Sequence, residues 1–204
     1  MTAANEKPKS DLSLGGSAQI SFSITNCSDF LNDIRFLIQQ MNSETNEEVK
    51  DNYSRICIIY LAFYFESLAN LVWDNERDEN VWNHELNQYN NRNDIPNPIR
   101  KMLAFYKKNK SSELAIDINS LRDLFQIRNR LIAHSKDRTV LDSSDSCEIY
   151  RLNYFKYSSF PSTYRELSYS HFKILFDDLT DFLNKYLNLV NDDLDERIKS
   201  FFKI

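Results

Sequence analysis

The sequence predicts an all-α fold, a helical bundle of about five helices with one small extended or hairpin insertion. Two observations carry this. Only 2 Gly and 4 Pro occur in 204 residues of which 42% are hydrophobic and 13% aromatic, and a chain so poor in turn formers favours long helices over many tight turns. Apolar residues also recur at steps of three and four in several stretches, the period of a helix with one face in a core. A chain of this length can bury a sizeable core without disulfides or metal to hold it.

The elements follow in order. Met1 to Ser17 is polar and contains the turn pair Gly15-Gly16, and Ile20, Phe22 and Ile24 alternate across Ala18 to Thr25. Residues 1–27 therefore read as a flexible or extended lead-in, and 28–204 as one helical domain. Ser28 or Asp29 offers an N-cap for a first helix with Phe30, Ile34, Leu37, Ile38 and Met41 on its face, ending at Asn42-Ser43-Glu44. A second and longest helix runs from about Glu47 to Asn75, with Tyr53, Ile56, Ile59, Tyr60, Phe63, Leu68, Leu71 and Val72 so dense that most of its circumference is expected to be covered. It is the expected centre of the bundle. A polar connection with Trp82 and His84 closes at Pro96 and Pro98, where a short helix, Ile99 to Lys108, contributes Met102, Leu103 and Phe105.

The fourth helix begins at Ser120, with a stripe of Leu121, Leu124, Phe125, Ile127, Leu131 and Ile132. Arg138 to Tyr169 is the insertion: it is rich in Ser and Tyr, and Glu148 to Tyr157 alternates imperfectly, as a hairpin or extended excursion would. A last long helix, from near Ser170 to about Val190, carries Phe172, Leu175, Phe176, Leu179, Phe182, Leu183, Tyr186 and Leu187 inward. Leu194, Ile198, Phe201 and Phe202 extend its pattern to the end.

The net charge of -5 argues against a protein that coats nucleic acid nonspecifically, since phosphate binding is driven by Lys and Arg. Local positive clusters exist at Arg128, Arg130, Lys136 and Arg138, and at Arg100, Lys101, Lys107, Lys108 and Lys110. Cys27, Cys57 and Cys147 are far apart and lack metal-ligand spacing, so neither a zinc site nor a disulfide framework is suggested and reduced thiols are expected; no cofactor is expected. The longest apolar run, Ile56 to Phe65, is too short to span a bilayer. The expectation is a cytoplasmic protein without membrane contact.

Chemistry concentrates in the second half of the fourth helix. Arg128, Asn129 and Arg130 are side chains that a core helix normally avoids, and His134 closes the segment before a solvated Ser-Lys-Asp-Arg run. At about 100° per residue, Arg130 lies within roughly 40° of His134 and Arg128 about 120° around. Histidine moves a proton near neutral pH, and arginine holds a phosphate bidentately. On the central helix Glu66 and Asn70 lie one turn apart amid Phe63, Phe65, Leu68 and Leu71, so Glu66 either reaches solvent or pairs with the Arg-rich segment. On spacing alone the commoner arrangement is a helix-capping histidine with arginines paired to acids such as Glu66 or Asp123.

Arg128-Asn129-Arg130-Leu131-Ile132-Ala133-His134 resembles the signature of the HEPN superfamily (higher eukaryotes and prokaryotes nucleotide-binding): an Arg, a polar residue after it, and a His after four to six intervening residues. The likeness is tight over the motif and architectural over residues 28–190, where a long apolar helix with an embedded Glu precedes the motif helix and another long helix follows. It implies an HEPN-like bundle and a metal-independent endoribonuclease of a defence or toxin-antitoxin system, acting on RNA as a homodimer whose two motifs line one cleft. It assigns proton transfer to His134, the scissile phosphate to Arg128, orientation of the motif to Asn129, and support to Glu66. Asn70 and Arg130 are further supporting candidates, and Lys136 and Arg138 candidate substrate contacts. An antitoxin or other defence-system protein is an implied partner. Members paired with a nucleotidyltransferase antitoxin carry a Tyr two residues after the His; here that residue is Lys136. The alternative from another class is a noncatalytic HEPN-like dimeric interaction or RNA/nucleotide-binding module.

Overall fold

The computed structural model describes residues 15–74, 95–110, 116–128 and 166–204, with side chains from residue 26 onward. Six α-helices occur among them: α1 (Gly15–Ser43), α2 (Glu47–Asp74), α3 (Asn97–Lys110), α4 (Asn119–Gln126), α5 (Tyr169–Val190) and the short α6 (Glu196–Lys199). The described residues contain no strand, and the fold is an all-α bundle. The insertion expected at Arg138 to Tyr169, up to residue 165, lies outside the described residues, as do Trp82, His84 and Cys147.

α1 starts earlier than its sequence suggests. Ala18 to Thr25, expected to be extended, is helical from Gly15 on. No proline or glycine interrupts residues 17–43, and adding residues to an existing helix is far cheaper than nucleating one, so the helix propagates through the expected cap at Ser28. Its buried face is Cys27, Leu31, Ile34, Leu37 and Met41, with Phe30 and Ile38 packed at the margin.

Three residues reverse the chain into α2, so the two helices lie side by side as an antiparallel hairpin. Glu44 Oε1 accepts from the backbone N–H groups of Thr45 and Asn46, both at 2.8 Å, and Asn46 Oδ1 accepts from Glu48 N at 3.0 Å. Glu47 and Glu48 place negative charge in the first turn of α2, where the helix dipole favours it. By length and composition α2 resembles a membrane span. Here its apolar side chains, from Cys57 to Val72, form the middle of the bundle core. That coverage is not complete: Ile56 and Phe63, expected inside, are 39% and 38% exposed, and they mark an open strip along the helix.

α3, α4 and α5 pack against the rest of α2. α3 buries Ile99, Met102, Leu103, Phe105 and Tyr106, and its last-turn Lys110 reaches Asp193 at 2.8 Å. α4 buries Leu121, Leu124 and Phe125, the stripe read from the sequence, and Ser120 Oγ donates to Asp178 of α5 at 2.9 Å. α5 begins one residue before its expected start, with Asp51 Oδ1 accepting from Tyr169 N at 2.7 Å. Its Tyr186 hydroxyl donates to the Met102 carbonyl at 2.8 Å.

Beyond Val190 the helix does not continue. Leu194 is extended, Asp195 caps α6 by accepting from Arg197 N at 2.8 Å, and a 3-10 turn, Ser200–Phe202, follows. Straight continuation to Phe202 would carry it about 18 Å past Val190. Folding back instead lets Phe202 stack on Tyr186, with ring centroids 5.9 Å apart and planes at 3°. The Tyr64 hydroxyl donates to the Phe201 carbonyl, and Arg35 reaches the Lys203 carbonyl at 3.1 Å.

Cys27 and Cys57 are fully buried, and burial pushes both thiols up to about 12. The stability contributed by their protonated form is fully present below the ordinary thiol value and is lost as pH rises toward about 12. Since the thiolate is the nucleophile, neither cysteine is expected to react with a disulfide reagent at pH 8 in native Cys147→Ser protein. Both are expected to react once the protein is dissolved in denaturant. Rapid native labelling of either would contradict the packing of α1 on α2.

Candidate functional site

The open strip of α2 carries aromatic and polar side chains at successive turns: Phe63, Glu66, Asn70, Trp73 and Asp74 follow at helical steps and share one side. From Phe63 to Asp74 the strip is about 16 Å long. Two other helices lay cations on it. Arg128, just past α4, forms an ion pair with Glu66 Oε2, and its guanidinium carbon lies 5.5 Å from the Phe63 ring centroid. Lys101 of α3 donates from Nζ to Asn70 Oδ1 at 2.6 Å and lies 6.0 Å from the Trp73 ring centroid.

Arg128 reaches Glu66 by way of a change in helix geometry. α4 ends at Gln126, with Ile127 N donating to the carbonyls of Asp123 and Leu124, and Ile127 and Arg128 continue in the wider π geometry. Such turns are rare and often sit at functional sites. The regular 100° step used to place the motif side chains on the sequence thus stops before Arg128. In the preceding turn Arg122 and Asp123 are buried, and both are partnered.

The site is neither sealed nor fully solvated: the Arg128 and Glu66 side chains are 22% and 41% exposed. At the other end burial dominates. It holds Lys101 below the ordinary lysine value against the opposing pull of Asp74 and Glu66, and it holds the Asp74 carboxyl above the usual range against the pull of Lys101. A charge in such surroundings is costly unless hydrogen-bonded, and the Asn70 oxygen supplies that bond. Among the described residues no three of His, Cys, Asp and Glu cluster as metal ligands would.

Of the residues singled out in the sequence, Arg128, Glu66 and Asn70 come together along this strip. Asn129, Arg130, His134, Lys136 and Arg138 lie outside the described residues. The pairing of Glu66 with the Arg-rich segment is made, through Arg128. The sequence did not single out Lys101, Trp73 or Asp74. Asp74 was within reach, since it follows Glu66 and Asn70 at the same four-residue step; Lys101 was one of five basic residues in its cluster. No family model, curated protein or solved structure matches the chain.

Proposed function

We propose that the chain is a metal-independent endoribonuclease of the HEPN type, serving a defence or toxin-antitoxin system as a homodimer. The observation that carries this reading is the Glu66–Arg128 pair. A carboxylate embedded in the central helix holds the first motif residue on an accessible face, the arrangement expected if Arg128 is to meet a phosphate in a fixed orientation.

In this reaction His134 accepts the proton of an RNA 2'-hydroxyl, whose oxygen attacks the adjacent phosphorus. The P–O5' bond breaks, leaving a 2',3'-cyclic phosphate and a 5'-hydroxyl that takes up a proton. The Arg128 guanidinium offsets the charge that builds on the phosphoryl oxygens during attack. Asn129 orients the motif, Arg130 supports the phosphate, and Lys136 and Arg138 bind the chain on either side. Pairing two subunits would gather these few cations into one cleft, which an acidic protein needs for capturing a polyanion.

The test is incubation with labelled mixed-sequence RNA and with DNA of the same sequence, both in EDTA. RNA is cut and DNA, lacking the 2'-hydroxyl, stays intact. Equal cutting of both would overturn the proposed chemistry.

The same pair supports a second reading, the noncatalytic dimeric interaction or RNA/nucleotide-binding module. Glu66 and Arg128 satisfy each other within one chain and Arg128 packs on Phe63, as a network that fixes geometry would.

A further inference from the structure

We propose that Lys101 is a positioning residue of this site: by holding the Asn70 side-chain oxygen, it fixes the Asn70 amide group as a hydrogen-bond donor beside the Glu66–Arg128 pair. A carboxamide has an accepting oxygen and a donating NH2 group, and only its hydrogen-bond network decides which way it faces. An ammonium has donors and no acceptor, so at 2.6 Å from Nζ the oxygen is the group that faces Lys101. The NH2 group is what Asn70 has left for other partners. One helical turn from Asn70 is Glu66, the partner of Arg128, so the acceptor it serves is an oxyanion held against Arg128.

The ammonium is itself well located. Met102, next to it on α3, is buried and its carbonyl is bonded by the Tyr186 hydroxyl at 2.8 Å, which anchors this turn to α5. The Trp73 ring lies 6.0 Å away, and the charges of Asp74 and Glu66 both act on Lys101. Burial works against the charge, which is held below the ordinary lysine value. Lys110, on the same helix, pairs instead with Asp193, while Lys101 donates onto the strip. The guanidinium of Arg128, the amide of Asn70 and the ammonium of Lys101 together make a donor set suited to phosphoryl oxygens. The ligand class rests on the reading given under Proposed function; the orientation of Asn70 does not.

The test follows the Asn70 side-chain amide by nuclear magnetic resonance in 15N-labelled protein as inorganic phosphate is added. In the wild type the Asn70 amide protons shift and saturate. In Lys101→Met, which keeps an unbranched side chain and loses the ammonium, the midpoint rises about tenfold, the effect expected for losing one charge-assisted hydrogen bond. Lys101→Arg stays near the wild type. In Asn70→Asp, followed at the Arg128 guanidinium signal, phosphate binding weakens by about the same factor. An Asn70 amide that ignores phosphate in the wild type, or that responds equally in Lys101→Met, overturns the proposal. The titration needs no turnover, so intact RNA beside a responding Asn70 would defeat only the nuclease reading.

Discussion

Arg128→Ala is expected to lower RNA cleavage by about a hundredfold or more, the usual cost of removing a donor aimed at charge that develops in the transition state. The melting temperature should fall by only about 2–8 °C. Stability changes little because the pair is partly solvated, with side chains 22% and 41% exposed, and screened pairs of this kind contribute about 1 kcal/mol or less. Contact with the Phe63 ring adds about 0.5–1 kcal/mol. Arg128→Lys keeps the charge and loses the bidentate fork, so it should recover little of the activity. The noncatalytic reading expects another pattern: a large fall in melting temperature or dissociation of the dimer. Thermal melting, sedimentation and cleavage rates on the same preparations separate the two accounts.

The largest effect on stability is expected from Tyr186→Ala. Tyr186 is fully buried, stacks on Phe202 and on Phe182, and donates to the Met102 carbonyl. Removing so large a ring from a close-packed core costs about 3–5 kcal/mol, or roughly 6–20 °C in melting temperature for a protein of this size. Tyr186→Phe keeps both stacks and loses only the hydrogen bond, at a cost of about 1 kcal/mol. Met102 adjoins Lys101, so the Phe variant should also raise amide hydrogen exchange in α3 more than in α1. A Tyr186→Ala protein that melts with the wild type would show that the C-terminal turn is not seated on α5 as described.

The period of the apolar residues made most of the bundle legible. Leu121, Leu124, Phe125 and Ile127 are buried as their spacing requires, and so are Phe172, Leu175, Leu179, Phe182, Leu183 and Tyr186. Short windows misled. Ile20, Phe22 and Ile24 fit alternation, yet Ile20 and Ile24 also stand one helical turn apart, and seven or eight residues cannot decide between the two periods. At the other end Val190, Leu194, Ile198 and Phe202 keep a helical step while the chain bends between them. A repeat of four records which residues are buried, and the core, not the repeat, decided that the chain turns back toward Tyr186.

The candidate site was legible in part for a related reason. Glu66 declared itself as a carboxylate among aromatics, expected either to reach solvent or to pair with the Arg-rich segment; it pairs with Arg128 and stays 41% exposed. Lys101 could not be distinguished from Arg100 or Lys107, because its role depends on which side of α3 meets Asn70 and Trp73. Only the packing of α3 against α2 fixes that. Phe63, read as a core residue, became instead the half-exposed platform under the Arg128 guanidinium.

The most direct test of the central claim compares wild type with His134→Ala on labelled mixed-sequence RNA in EDTA, with end-group analysis of the fragments and melting curves of both proteins. The account predicts cutting by the wild type alone, fragments ending in 2',3'-cyclic phosphate and 5'-hydroxyl, and superimposable melting curves. Equal cutting by His134→Ala, or fragments with 5'-phosphate ends, would contradict it.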